Sequence, residues 1–251
     1  MSVSINDYKT TLTAAMKLAD LKYDETIMSR LLDYTERLLT WNEVMNLTAL
    51  TSPEDVAIRH FLDSWMLLPI LDEMFKKTAG QSKSVSLIDV GTGAGFPGLP
   101  LKFVREDIKL VLLDALMKRV RFLQEVADNS KLAEISCIHG RAEETARNKL
   151  HREKYDIATA RAVASLPELC EYCLPFVKIG GVFIAMKGDV QEELNHSTRA
   201  IKILGGKLED VREFKLPGTD YHRTIVVIRK ISKTPPTYPR KAGKPHSSPI
   251  S

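Results

Sequence analysis

The stretch LIDVGTGAGFPG, residues 87–98, sets Gly91, Gly93 and Gly95 directly after an apolar run. In an open parallel sheet the first strand-to-helix turn is the usual ligand cradle, because it lies beyond the carboxyl ends of the strands. Glycines there adopt positive φ and let the backbone approach a ligand with no Cβ in the way. A phosphate loop needs Lys and then Ser or Thr after its last glycine, but Gly98 is followed by Leu99 and Pro100, which excludes ATP and GTP. A dinucleotide loop has its third glycine five positions after the first, and here that position is Phe96. The pattern is instead D-x-G-x-G-x-G. Asp89 adds a charge argument: a carboxylate beside the turn repels a pyrophosphate but suits the ammonium and sulfonium cations of S-adenosyl-L-methionine. Asp114 ends the next apolar run, where an acid accepts ribose hydroxyls, although dehydrogenases place one similarly. A ligand-free glycine turn and a dehydrogenase remain the alternatives at this point.

A second constellation follows the fourth apolar run of the sheet. Enzymes that methylate exocyclic amines commonly carry Asn or Asp, two prolines and an aromatic there, whereas this chain reads TARAVASLP. The segment also lacks a cysteine to attack a pyrimidine ring carbon. The absence of a base fits an acceptor such as a purine N7, which has a free lone pair and no proton to remove. Catalysis then rests on alignment and on contacts made as charge develops. Arg161 is the candidate for positioning: it would hydrogen-bond the cofactor's carboxylate or an oxygen of the acceptor, against the plainer role of a surface ion pair. Lys187 with Gly188 after the fifth run is a weaker candidate. No general acid, general base or metal ligand is assigned. Cys170 and Cys173 form a lone CxxC within a helix that Ser165 and Glu168 are spaced to cap as a box, and they are expected to be core residues, as are Cys137, Met66, Met74 and Met186.

These residues need a scaffold, and the periodicity supplies one. SLIDV, KLVLLDA, EISCIHG, KYDIATA and GVFIAMK alternate with segments long enough for crossover helices, which predicts a parallel sheet. Segments 208–216 and 224–231 lack a full helix between them and are expected to end the sheet as an antiparallel pair. The first 80 residues read as helices: Ile27, Leu31, Tyr34, Leu38 and Trp41 recur at helical spacing, and Ser52-Pro53-Glu54-Asp55 predicts a helix start that carries Arg59 and His60. The polar run 76–84 is expected to be a linker. The organisation is therefore an N-terminal helical region (1–80), an α/β domain (81–233) and a basic, proline-rich tail (234–251) without regular structure.

The chain has 251 residues and a net charge of +4. No apolar run is long enough for a membrane span, and three cysteines make a disulfide framework improbable, so a cytoplasmic protein is expected. Residues 221–251 hold seven cations and no acid, leaving 29 cations against 32 acids elsewhere. That asymmetry fits either a patch for a polyanion or a solvated tail.

DVGTGAGFPGLPL resembles the cofactor loop of the RsmG family, first called glucose-inhibited division protein B. Flanking motifs continue the resemblance in order: Trp41-Asn42 with Asn46-Leu47-Thr48, Arg59-His60 with Asp63-Ser64, Lys118-Arg119, Arg141-Ala142-Glu143, Arg161-Ala162-Val163 and the tail YPRKAGKP. The resemblance implies a class I S-adenosylmethionine-dependent methyltransferase, Rossmann-like, with a mostly parallel seven-stranded sheet and an N-terminal helical extension. It also implies the reaction, N7-methylation of the 16S rRNA guanine conventionally numbered 527. Gly91, Phe96, Ala142, Glu143 and Arg161 would contact the cofactor, beside Asp89, Gly93, Gly95 and Asp114. Ala115 departs from the family's usual Ser. Contacts to 16S rRNA or the small ribosomal subunit are expected from Arg59, His60, Lys118, Arg119, Arg121, Lys187, Arg240 and Lys241, with the chain acting as a monomer. A methyltransferase for another substrate and a noncatalytic RNA-binding protein are the competing readings.

Overall fold

The computed structural model describes residues 4–78, 84–161 and 164–250. Helices α1 (Ile5–Leu18) and α2 (Glu25–Met45) open the chain. Ser52 caps the short α3 (Pro53–Asp55), with Pro53 in the first turn as the sequence predicts. The helix then widens over Val56–Leu62, where the Asp63 N–H reaches back to the carbonyl of Ile58, and tightens again in α4 (Asp63–Trp65). Helix α5 (Leu68–Thr78) follows, so residues 76–78 of the expected linker are helical, while 79–83 lie outside the described residues.

The remainder alternates: β1 (Val85–Val90), α6 (Gly98–Val104), β2 (Ile108–Asp114), α7 (Met117–Asn129), β3 (Ile135–His139), α8 (Ala142–Thr145), β4 (Tyr155–Arg161), α9 (Leu166–Cys173), β5 (Val177–Lys187), α10 (Gln191–Ile203), β6 (Gly206–Lys215) and β7 (His222–Lys230). All five expected parallel strands form, in one seven-stranded sheet ordered β3-β2-β1-β4-β5-β7-β6. Strands β1 to β5 are parallel, and β7 runs antiparallel between β5 and β6, as the missing crossover requires. The strand order reverses between β1 and β4, which opens a crevice beyond their carboxyl ends.

Side chains alternate across each strand, so neighbours enter opposite cores. Leu87 and Leu112 join Leu31, Phe61, Trp65 and Phe122 on one face, whereas Ile88 and Leu113 join Leu169, Cys173 and Phe176 on the other. The N-terminal helices therefore share a core with the sheet. Cys170 and Cys173 are fully buried in the second core, where burial pushes both thiols up. Cys137 is only half-buried. Ser165 is the N-cap of α9, but its hydroxyl bonds the Glu168 side chain instead of the backbone, and the Leu166 N–H goes to Glu193. The expected capping box is thus not formed.

The tail is also corrected. Its prolines do not leave it free: a short helix α11 (Lys244–Ser247) carries Pro245 in its first turn, and Ile250 enters the second core. Four of the seven cations of 221–251 point inward. Arg223 pairs with Asp63, Arg229 with Glu209, Arg240 with Glu171, and fully buried Lys230 lies 3.4 Å from Glu153. Burial lowers the Lys230 pKa to about 8, and its ammonium donates to the carbonyls of Leu174 and Leu204. Arg240 grips the buried Glu171 carboxylate through Nε and Nη2. Removing one partner of such a pair strands the other in low dielectric. Arg240→Ala should therefore destabilise the chain by about 3 kcal/mol, and the double variant Arg240→Met/Glu171→Leu should recover most of that. Urea unfolding of the three proteins checks this, and equal loss in single and double variants would refute it.

Candidate functional site

The glycine turn is built from its hydrogen bonds. The Leu113 carbonyl accepts from the N–H groups of Gly91 and Thr92, which ties the turn to the end of β2. The Gly93 N–H donates to Asp114 Oδ2 at 2.9 Å, and the Leu116 N–H donates to Oδ1. From below, Asp89 Oδ2 accepts from Thr92 Oγ1 at 2.6 Å and from the Gly98 N–H at 2.9 Å. Tyr34, buried in α2, donates its hydroxyl to the Ala94 carbonyl, so an N-terminal helix also holds the turn.

The three glycines differ in duty. Gly91, Gly93 and Gly95 have φ of 69°, 63° and 100°. A Cβ on Gly93 would face open space, as a cradle requires, whereas one on Gly95 would collide with Leu99. Gly95 is therefore required by packing against Leu99, whatever it contacts on the other side. Asp89 is fully buried and braces the turn from beneath; burial raises its pKa to about 6, partly offset by the two hydrogen bonds. Its Oδ1 has no protein partner.

Beyond the strand ends lies a trough of three lobes that adjoin through shared lining residues. The first, about 340 Å³, lies between Val90, Gly91, Leu113, Asp114, Ala142, Glu143 and Tyr172, with Gly243 and His246 of the tail closing it. The second, about 430 Å³, shares Gly91, Asp114 and Ala115 with the first and adds Thr48, Gly93, Phe96, Arg119 and Arg161. The third, about 320 Å³, shares His60 and Arg161 with the second and is lined further by Arg59, Asp63, Met186, Lys187 and Arg223.

Arg161 stands at the joint between the second and third lobes. Its Nη1 donates to Asp63 Oδ2 and to the Arg59 carbonyl, both at 3.0 Å, and its Nη2 lies 3.2 Å from His60 Nδ1. The guanidinium also sits over the Phe96 ring. This is a buried bridge from β4 to the widened helix and not a surface ion pair. The wide turn brings Arg59, His60 and Asp63 to one side of it. Because Arg161 only donates, His60 Nδ1 must accept, which leaves Nε2–H for Thr48 Oγ1 at 2.9 Å. His60 stacks on Phe96 at 4.3 Å. Burial first, then the positive charge of Arg161 and Arg59, lowers its pKa to about 3, so it is neutral. Thr48 is itself held by Asn42, whose Oδ1 accepts the Thr48 N–H.

The structure brings Gly91, Gly93, Phe96, Asp114, Ala142, Glu143 and Arg161 to the trough, while Ala162 and Val163 lie outside the described residues. Of the expected RNA contacts, Lys118, Arg121 and Lys241 are exposed. Arg119 faces the second lobe beside Asp114, and Arg59 the third. Three are already engaged within the protein. His60 is neutral with both nitrogens engaged. Lys187 donates to the Ala164 carbonyl and pairs with Glu193. Arg240 is locked on Glu171, as described above. Reading the sequence as a string missed Asp63 and Arg223 as site residues. Asp63 is four residues after Arg59, a detectable spacing, but the Arg223–Asp63 bond joins residues 160 apart and leaves no local signal.

The model of the family described as rRNA small subunit methyltransferase G matches residues 27–225. Ribosomal RNA small subunit methyltransferase G of Acetivibrio thermocellus is 50% identical over 227 residues, 90% of each chain. The protein of that name from Alkaliphilus metalliredigens is 50% identical over 228 residues, covering 90% of this chain and 92% of its own. The one from Clostridium kluyveri is 42% identical over 248 residues, 97% of this chain and 99% of its own. A sheet with one antiparallel strand between β5 and β6, a glycine cradle at its switch point and relatives this similar over nearly their full length lead to one conclusion: the chain belongs to the rRNA small subunit methyltransferase G family.

Proposed function

We propose that this chain transfers the methyl group of S-adenosylmethionine to N7 of a guanine in 16S rRNA, the one conventionally numbered 527, acting as a cytoplasmic monomer. The observation that carries the reading is the trough itself, in which a cofactor cradle and a guanidinium-lined cleft meet at Arg161. The residues present fit the cofactor. Gly93 offers open space where a side chain would otherwise stand, and the buried Asp89 Oδ1 lacks a protein partner beneath the turn. Asp114, beside the first two lobes, would accept ribose hydroxyls with the lone pairs its three protein donors leave.

S-adenosylmethionine supplies an electrophilic methyl group when bound. The chain's own task is orientation. Guanine N7 has no proton to lose, and His60 is neutral with its nitrogens taken by Arg161 and Thr48, so this imidazole serves as a clamp instead of a base. Arg161 uses three of its five N–H groups on Asp63, Arg59 and His60 and keeps two for a carboxylate or a guanine O6. Held on four sides, it stabilises developing charge without reorganising. Among the described residues no helix is long and apolar enough to cross a membrane.

Gly93→Val would force a β-branched residue into positive φ and fill the cradle. A strain of about 1–3 kcal/mol corresponds to a loss of roughly 5- to 150-fold in affinity for S-adenosylmethionine by calorimetry. Undiminished binding would remove the loop assignment. Labelled methyl transfer to small subunits, intact and stripped of protein, should place the label on N7 of the named guanine; label elsewhere would refute the target. His60 generates a third expectation. Its folded pKa of about 3 lies below its ordinary 6.5, so the unfolded chain binds more protons between these values. Its contribution to stability is full above pH 6.5 and is lost as pH falls toward 3. His60→Gln should therefore flatten the fall in stability across that window by up to about 1.4 kcal/mol per pH unit, read from urea unfolding at stepped pH. A slope equal to that of the wild type would contradict the neutral imidazole.

A further inference from the structure

We infer that the C-terminal segment 238–250 is the outer wall of the adenosine end of the cofactor cavity, and that the Glu143 carboxylate serves this site through the segment. This rests on the function proposed above.

The segment and the turn that leads into it, residues 234–237, are held by side chains from α8, α9 and the connection between α8 and β4. Arg152 donates to the carbonyls of Thr234, Pro235 and Tyr238, and Arg147 to that of Thr237. Arg240 is fastened to Glu171, and His246 Nδ1 lies 2.9 Å from Glu168. Between these anchors Gly243, at φ 79°, donates its N–H to Glu143 Oε1 at 3.0 Å. Three acids of α8 and α9 with little or no exposure, Glu143, Glu168 and Glu171, thus hold one short stretch of chain. So many polar anchors on a segment rich in proline specify its position far more closely than a tail on the surface needs.

What the anchors position is a wall. Gly243 and His246 line the first lobe opposite Val90, Leu113 and Ala142, and Asp114 lies at the junction with the second lobe. The lobe is lined by the aliphatic Val90, Leu113 and Ala142, by Gly91 and Gly140, and by the Asp114 and Glu143 carboxylates, with Arg141 and Tyr172 also in its wall. That composition suits a flat, uncharged purine with a ribose diol beside Asp114. A Cβ on Gly243 would meet nothing within 4 Å, so the strap faces space there and not packed protein. Glu143 Oε1 is committed to the strap, which makes its side chain a positioning group.

The test uses the full chain with S-adenosylmethionine, adenosine and methionine as probes. Lys241 is exposed on the strap and is followed by Ala242, so trypsin reads strap opening there. Adenosine and S-adenosylmethionine should each slow cleavage after Lys241 by about tenfold at saturation, while methionine alone should not, because cleavage tracks the population of the open strap. Glu143→Ala should weaken adenosine binding by about tenfold, and Glu143→Gln, which keeps an oxygen acceptor, should bind within about threefold of wild type. A wild-type chain that binds S-adenosylmethionine yet is cut after Lys241 at the same rate with and without adenosine overturns the strap assignment and leaves the functional reading standing. A wild-type chain that binds no S-adenosylmethionine overturns both.

Discussion

The site depends on how a guanidinium at the end of a buried strand is neutralised. Arg161 closes β4 next to the switch point, where its side chain is only 14% exposed. An unpaired cation there would be expensive, and the chain meets the cost with Asp63 from the N-terminal helices. Asp63 in turn accepts from Arg223 on β7, so one buried carboxylate fastens the helical region to two strands of the sheet. The wall shared by the second and third lobes is arranged around this pair. The wide helical turn presents Arg59, His60 and Asp63 together, Phe96 places its ring under both His60 and Arg161, and Thr48 completes the imidazole. The N-terminal helices are therefore part of the site's wall, which explains why they share a hydrophobic core with the sheet.

The other half of the trough rests on backbone geometry. Asp89 and Asp114 hold the glycine turn from two sides, one beneath it and one at its rim. Their environments differ: Asp89 is sealed and pushed up toward neutrality, while Asp114 accepts from two backbone N–H groups and Arg119. A turn gripped in this way has little freedom to relax around a bulky substitution at Gly93, and preorganisation of this kind is what a cofactor cradle needs.

The parallel strands and the glycine turn were legible because their signals are local. A run such as LIDV followed by alternating glycines is a statement about one stretch of chain, and so is the missing crossover before β7. The helix over 24–41 was legible for the same reason, and its far end ran on to Met45 because no breaker intervenes. Charge asymmetry was the poor guide. Seven cations without an acid look like a free basic tail only while the partners of four of them are out of view, and those partners lie 20 to 160 residues away in sequence. Gly95 shows the same limit on a smaller scale: nothing in D-x-G-x-G-x-G separates a glycine that faces a ligand from one that Leu99 forbids to be larger.

The ion pairs also bear on how RNA would be met under the proposed function. In the third lobe, Arg59 pairs with Asp55, while Arg161 and Arg223 divide Asp63 between them. Lys187 is spent on Glu193, and His60 is neutral. The lobe is thus close to charge-balanced yet lined by planar guanidinium groups, with Arg59 and Arg223 both near the Tyr221 ring. A balanced cleft of this kind has little net pull on a phosphodiester, but its flat donors and exposed aromatic match the edge and face of a base. Phosphates, which fix register without reading sequence, would fall instead to exposed cations outside the trough, such as Lys118, Arg121 and Lys241. The division follows from which positive charges the fold has already consumed.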